Sequence, residues 1–204
     1  MSAPGRGPRI RHVADGDWDA LVALEAAAYA PSGLSEGRAP LESMVRASPS
    51  TCFVLHQGAR LAAYALALPY PESAYPALAA TGAAARASSN LHLHDLVVAA
   101  DLRGRGLGRH LFGHLAATAL AQGYLRISLV AVGGSDTFWA ARGFAPHPEI
   151  ALAADYGPGA LYMSRPVTAG HGPARTRGPA QGRRPVPRAA SARVPGTPLH
   201  HEKG

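Results

Sequence analysis

"DLRGRGLGRHL", residues 101–111, decides how the chain is read. Gly104, Gly106 and Gly108 alternate along it, and Arg103, Arg105 and Arg109 are set among them. Ahead lies an apolar, strand-like run, "LHLHDLVV" (91–98); behind, Leu107, Leu111, Leu115 and Leu120 fall at helical spacing within residues 105–123. A strand that feeds a glycine-rich turn into a helix makes an anion site, because the first N–H groups of a helix lack partners and the helix dipole is positive there. Glycine lets the backbone itself approach the ligand, and the arginines add forked donors suited to phosphate oxygens. Two phosphate loops are excluded. A Walker loop needs Gly-Lys-Ser/Thr, and the first lysine of the chain is Lys203; a G-x-G-x-x-G started at Gly104 would need glycine where Arg109 stands.

Working outward, "YLRISLVAV" (124–132) reads as a strand, so 91–132 is a β-α-β crossover with its two strands parallel neighbours. Upstream, "ADGDWDALVALEAAAYA" (14–30) reads as a helix ended by Pro31, and "APLESMVRA" (39–47) as a shorter one. "TCFVLHQGARLAAYALALPY" (51–70) reads as two strands joined at Gln57-Gly58. Residues 71–90 are a long loop or weak helix, of the kind that carries function. Downstream, "SDTFWAARGF" (135–144) is a short helix with Ser135 as N-cap and Gly143 as its stop, and "GALYMSRPV" (159–167) is a closing strand. The order predicts a mixed α/β domain over 1–167. From about 168 the chain is Gly, Pro, Arg, Ala and Ser without periodicity, and 168–204 is expected to be a disordered basic tail.

What fits the loop is Arg-x-x-Gly-x-Gly: Arg103, Gly106 and Gly108, after an apolar strand. With "FWAARGF" (138–144), which matches a Phe-Tyr-x-x-x-Gly-Phe helix, the sequence resembles the GNAT superfamily of acyl-CoA-dependent N-acetyltransferases over roughly residues 10–165. The resemblance implies an α/β fold with a central, mostly antiparallel sheet, one splayed parallel strand pair and flanking helices. It implies acetyl-CoA as cosubstrate and no metal. The cofactor-binding residues it implies are Leu96, Val97 and Val98 on the strand, Arg103, Gly104, Arg105, Gly106, Leu107, Gly108 and Arg109 in the loop, and Trp139 under its far end.

Acetyl transfer to an amine needs a base for the ammonium proton and an acid for the leaving thiolate. His92 and His94 are two apart on one strand, so they are expected on one face with Asp95 on the other. Imidazole suits the base role, and the paired histidines resemble the arylalkylamine branch of the superfamily, which makes His94 and His92 the catalytic candidates. Where the family carries a tyrosine acid this chain has Trp139, whose indole cannot protonate sulfur. Ser135, Tyr156 and Tyr162 are the substitutes available. Asp95, Tyr70 and Tyr75 are candidate substrate-binding residues, the two tyrosines as an aromatic wall; Glu72 and Glu36 are the other carboxylates an amine could meet.

Composition narrows the classes. The net charge of +7 is not spread over the chain: residues 1–165 carry 13 Lys/Arg against 12 Asp/Glu, and 166–204 carry 7 against 1. A nearly neutral body argues against a broad nucleic-acid face, and the tail lacks the aromatics that stack on bases. Cys52, the single cysteine, forbids an internal disulfide and reads as a buried small hydrophobe. No signal-peptide core or 18-residue apolar run is present, so a cytoplasmic protein without membrane attachment is expected. The leading expectation is an N-acetyltransferase moving an acetyl group to a primary amine of a small molecule by direct attack on the thioester. A protein or peptide amine, a non-catalytic acyl-CoA-binding regulator and a homodimer stay open, and no specific nucleic-acid partner is expected.

Overall fold

A computed structural model describes residues 7–81 and 85–168; the expected basic tail and its disorder concern residues almost wholly outside that part. The hairpin predicted at Gln57-Gly58 forms as β2 (Phe53–Gln57) and β3 (Arg60–Pro69), with Gly58 at φ +63° in the turn between them. β1 (Arg9–His12) adds to β2 at one edge; its four residues, Arg-Ile-Arg-His, are too few and too polar to announce a strand. β4 (Asn90–Val98) pairs antiparallel with β3, and β5 (Arg126–Ala131) runs parallel to β4. β6 (Ala145–Pro146) and β7 (Leu161–Pro166) complete a seven-stranded sheet in the order β1-β2-β3-β4-β5-β7-β6. The one parallel neighbour pair is the one the crossover requires.

Two helical layers cover the sheet. On one face α3 (Leu107–Ala121) buries Leu107, Leu111, Phe112, Leu115 and Ala119 against Leu91, Leu93, Ile127 and Leu129, together with α4 (Asp136–Ala140). Leu120, expected on the apolar stripe, is 44 % exposed, because the buried arc runs through Phe112 and Ala119 instead. On the other face α1 (Trp18–Tyr29) and α2 (Arg38–Ala47) pack Trp18, Leu21, Leu41 and Met44 on Val54, Tyr64, Leu66, Leu68 and Val97. The predicted helix over 14–30 is α1 flanked by 3-10 turns at Asp15–Asp17 and Ala30–Ser32. Buried Asp17 does not cap α1; its carboxylate takes two bonds from Arg11, 2.5 and 2.6 Å, and so ties β1 to the helix start. Ser135 likewise makes no capping bond to α4, whereas Gly143, at φ +81°, follows that helix as predicted. Cys52 is fully buried and its thiol is pushed up to about 12, which leaves it inert.

Residues 71–81 and 85–89 contain turns but no helix or strand, and they are tied to the sheet through bonds from the Ser73 N–H to Tyr162 Oη and from the Arg86 N–H to the Pro69 carbonyl. Among the described residues no helix is long and apolar enough to cross a membrane.

Candidate functional site

The parallel pair is short. β4 and β5 are in register only at Asn90 with Arg126, Leu91 with Ile127 and His92 with Ser128, although β4 continues to Val98 and β5 to Ala131. Beyond His92 the two strands part, and β4 leads through a 3-10 turn at Ala100–Leu102 into the glycine loop. Gly104 and Gly106 hold φ of +75° and +81°, values that side chains resist, and Gly106 occupies the N-cap of α3. The His110 N–H is the first to close onto this turn, on the Gly106 carbonyl at 3.0 Å, so the N–H groups of Leu107, Gly108 and Arg109 precede the helical ladder. Gly108 has a different reason for being glycine: a Cβ there would stand 3.4–3.6 Å from Val98, Phe138 and Leu96, so the helix start lies hard against β4 and α4. The loop therefore offers three unladdered donors, and none of the salt bridges among the described residues involves Arg103, Arg105 or Arg109. Those features fit the diphosphate of a CoA thioester.

On β4 the pairing with β3 slips, with Leu66 opposite Asp95 but Ala67 opposite Leu93. His94 is the extra residue of a bulge. That one insertion overturns the expected alternation. Leu91 and Leu93 face α3, but beyond the bulge Asp95 and Val97 turn to the α1 side, where His92 also lies. Asp95 thus shares the face of His92 instead of opposing it. Its carboxylate accepts from the Tyr29 hydroxyl at 2.5 Å and the Tyr64 hydroxyl at 2.6 Å, and burial pushes it up to about 6.

The two imidazoles, 6.4 Å apart between ring centres, are set to opposite protonation habits. His92 is pushed down to about 3, by burial first and the neighbouring His94 second; its Nδ1 lies 3.0 Å from Ser128 Oγ. Its ring stacks on that of Tyr162, 6.3 Å away and inclined by 22°. Burial opposes charge on His94 too, but a 2.5 Å hydrogen bond to Glu36 Oε1 and that carboxylate's charge win, and its pKa rises. Burial raises Glu36 while the bond to His94 lowers it, and the net direction is down. Both side chains are almost fully enclosed, 4 % and 7 % exposed.

Glu36 reaches His94 because the segment after α1 is pinned. Buried Glu25 of α1 accepts the Glu36 backbone N–H at 2.7 Å and the Ser35 hydroxyl at 2.8 Å. The second oxygen of Glu36 accepts the Ala79 N–H at 2.5 Å, so one carboxylate joins the imidazole to the loop above it. Ser73 in the same loop donates its N–H to Tyr162 Oη at 3.1 Å. Ser73 and Ala79 are the two non-glycine residues with positive φ among those described, +62° and +56°. Backbone strain is thus concentrated where this loop grips the site.

The remaining candidates fall in several places. Tyr70 is half-buried with its ring 6.3 Å from His92, and Arg86 lies over it at 5.3 Å. Tyr75 instead clasps two loops: its hydroxyl donates to the Ala151 carbonyl and accepts the Ala153 N–H, and its ring meets Tyr156 edge-on. Trp139 is buried against Phe112, Phe138 and Phe144 as a core residue. Of the substitute acids, Tyr156 donates to the Pro76 carbonyl, while Tyr162 bonds Ser128 and adjoins His92. Leu96 and Val98 pack on Gly108 from the α3 side, and Val97 faces α1. Glu36 was legible only as a loose acidic candidate, and Glu25 and Ser128 carried no sequence signal at all. Among the described residues no group of three or more His, Cys, Asp or Glu is arranged to hold a metal ion.

A sequence profile of the acetyltransferase (GNAT) family matches residues 18–144. The search of curated proteins returned no match. Among solved structures, the GphF GNAT-like decarboxylase in complex with isobutyryl-CoA superposes with a TM-score of 0.63 at 22 % identity, covering 78 % of this chain and 100 % of that one. N-acetylglutamate synthase from Neisseria gonorrhoeae, complexed with coenzyme A and N-acetyl-glutamate, gives 0.62 at 20 % identity over 81 % of this chain and 36 % of that longer one. The ribosomal-protein-S18-alanine N-acetyltransferase from Escherichia coli gives 0.51 at 18 % identity, covering 80 % and 97 %. At these identities the likeness is one of fold. The profile spans more than half of the chain and the splayed strands, bulge and glycine loop lie within it, so this chain belongs to the GNAT acetyltransferase family.

Proposed function

We propose that the protein is an N-acetyltransferase that moves an acetyl group from acetyl-CoA to a primary amine of a small molecule. The observation that carries this reading is the parting of β4 from β5 just ahead of the unladdered N–H groups of α3. Leu107, Gly108 and Arg109 would hold the cosubstrate's diphosphate through their N–H groups, with Arg103 and Arg105 adding charge and Leu96–Val98 flanking the thioester arm. The cosubstrate supplies an acyl group already activated as a thioester, so the protein's task is to bind, to orient and to move protons. His94 is the proton acceptor for the attacking amine: Glu36 lifts its basicity toward the working pH, where a general base is most effective. His92, held neutral, keeps an uncharged wall beside it, with Tyr70 as the aromatic side of the acceptor site. Trp139, shut in the core, takes no part in proton transfer.

The test is calorimetric titration with acetyl-CoA of the wild type and of a Gly106→Glu, Gly108→Glu double variant, with circular dichroism as the folding control. Binding by the wild type that the variant loses supports the reading, and release of free thiol with a panel of small amines then completes it. A well-folded wild type that does not bind acetyl-CoA overturns it. Binding without thiol release on any small amine or peptide N-terminus would favour a non-catalytic acyl-CoA-binding protein, the alternative that Trp139 motivates.

A further inference from the structure

Arg142 stands just beyond α4 in a condition its surroundings do not satisfy. Its Nε is buried without a hydrogen-bond partner, although its Nη1 donates to the Phe138 carbonyl. The guanidinium carbon lies 3.2 Å from the centre of the Phe138 ring, closer than comfortable stacking. Burial and the positive charge of Arg109 both work against its own charge. None of the ion pairs among the described residues gives Arg142 or Arg109 a carboxylate. Two like charges, one of them partly desolvated, are a cost to the fold unless an anion completes them.

The location says which anion. Phe138, on which Arg142 rests, stands 3.5 Å from the place a Cβ of Gly108 would occupy, and Arg109 Nη2 stands 3.6 Å from the corresponding place at Gly106. The pair therefore borders the glycine loop, approached from α4 instead of from the α3 backbone. The Arg142 main chain is fixed there by Arg165, whose Nη1 donates to the Arg142 carbonyl at 2.7 Å, so an anion would be met by movement of the side chain off the Phe138 carbonyl and ring. The α3 N–H groups suffice for one diphosphate. We propose that Arg142 and Arg109 form a separate phosphate-monoester subsite that takes the ribose 3′-phosphate of coenzyme A. It rests on the acyl-CoA reading above. A forked guanidinium drawn off Phe138 would satisfy the orphaned side chain and neutralise the pair in one contact.

The experiment is calorimetric titration of the wild type, Arg142→Met and Arg142→Lys with coenzyme A and with 3′-dephospho-coenzyme A, each protein first checked by thermal melting. The wild type is expected to favour coenzyme A by about tenfold or more, the scale of one charge-assisted hydrogen bond. Arg142→Met should erase that preference while leaving affinity for the dephospho form unchanged, and Arg142→Lys should retain part of it. Equal wild-type affinity for the two ligands overturns the subsite and leaves the acyl-CoA reading standing. Equal weakening of both ligands in a well-folded Arg142→Met also overturns it, assigning Arg142 to the diphosphate. Binding of neither ligand by the folded wild type overturns both.

Discussion

Replacing Glu36 by Gln tests the proposed base directly. The substitution keeps the side chain's shape but removes its charge, and its single carbonyl oxygen can keep accepting the Ala79 N–H while the amide NH2 faces His94. An opposite charge at hydrogen-bond distance from a buried group shifts its pKa by about 1–3 units, or roughly 1.4–4 kcal/mol. In the wild type that support outweighs burial and holds His94 above its ordinary value of 6.5; without it only the charge of Asp95 opposes burial, and the pKa falls. A base must be unprotonated to work, so kcat/KM rises with pH through the His94 pKa. The acid limb of the Glu36→Gln profile should therefore lie about 1–3 pH units below that of the wild type. Both profiles are taken on one amine, so the acceptor's own titration cancels. The plateau should fall by less than the roughly 10²–10⁴-fold loss expected when His94 is removed altogether as Ala. Stability gives a second readout. A raised His94 contributes below pH 6.5 and is lost as pH climbs through its folded value; a lowered Glu36 contributes above pH 4.5 and is lost as pH falls through its own. The wild type's advantage over Glu36→Gln in urea denaturation should thus be greatest between about pH 4.5 and 6.5. An acid limb that does not move refutes the assignment of His94 as the base.

Two further outcomes follow from the same network. Tyr29→Phe removes one of the two hydroxyls that hold the Asp95 carboxylate, at a cost of about 1–3 kcal/mol while that group is charged. Because the lost bond favours the ionised form, the cost measured by denaturation should shrink as pH falls through about 6; a pH-independent cost would show that Asp95 is not the group affected. Ala79→Pro takes away the N–H that Glu36 accepts and forbids the positive φ of that residue. Ala79 is exposed, so the fold should survive while His94 becomes more accessible; carbethoxylation of His94, followed by mass spectrometry, should be faster than in the wild type. An unchanged rate would show that residues 71–81 do not guard the imidazole.

Local signals accounted for most of the fold. The helix over 38–47, the hairpin at Gly58, the β-α-β crossover and the stop at Gly143 each rest on periodicity or on one residue's backbone preference, and such preferences act over a few neighbours. β1 and β6 escaped because four and two residues carry too little pattern, and they become strands only where an edge of the sheet accepts them. The glycine loop was legible for the same local reason, since a left-handed turn at a helix start leaves its mark in the sequence itself.

The arrangement of the candidate site was legible only in part. His92 and His94 could be placed on one strand, but the bulge at His94 is a register slip between β3 and β4, and a slip belongs to the pair of strands and to neither sequence alone. It decided that Asp95 shares the face of His92. Glu36 meets His94 across 58 positions of chain, and Glu25 and Ala79 fix that meeting from two other segments. By itself the sequence determined an α/β crossover with a phosphate-type turn and two imidazoles nearby, because those depend on short-range backbone geometry. Only the tertiary structure decided which imidazole is basic, since burial and a neighbouring charge set a pKa and both are products of segments distant in sequence.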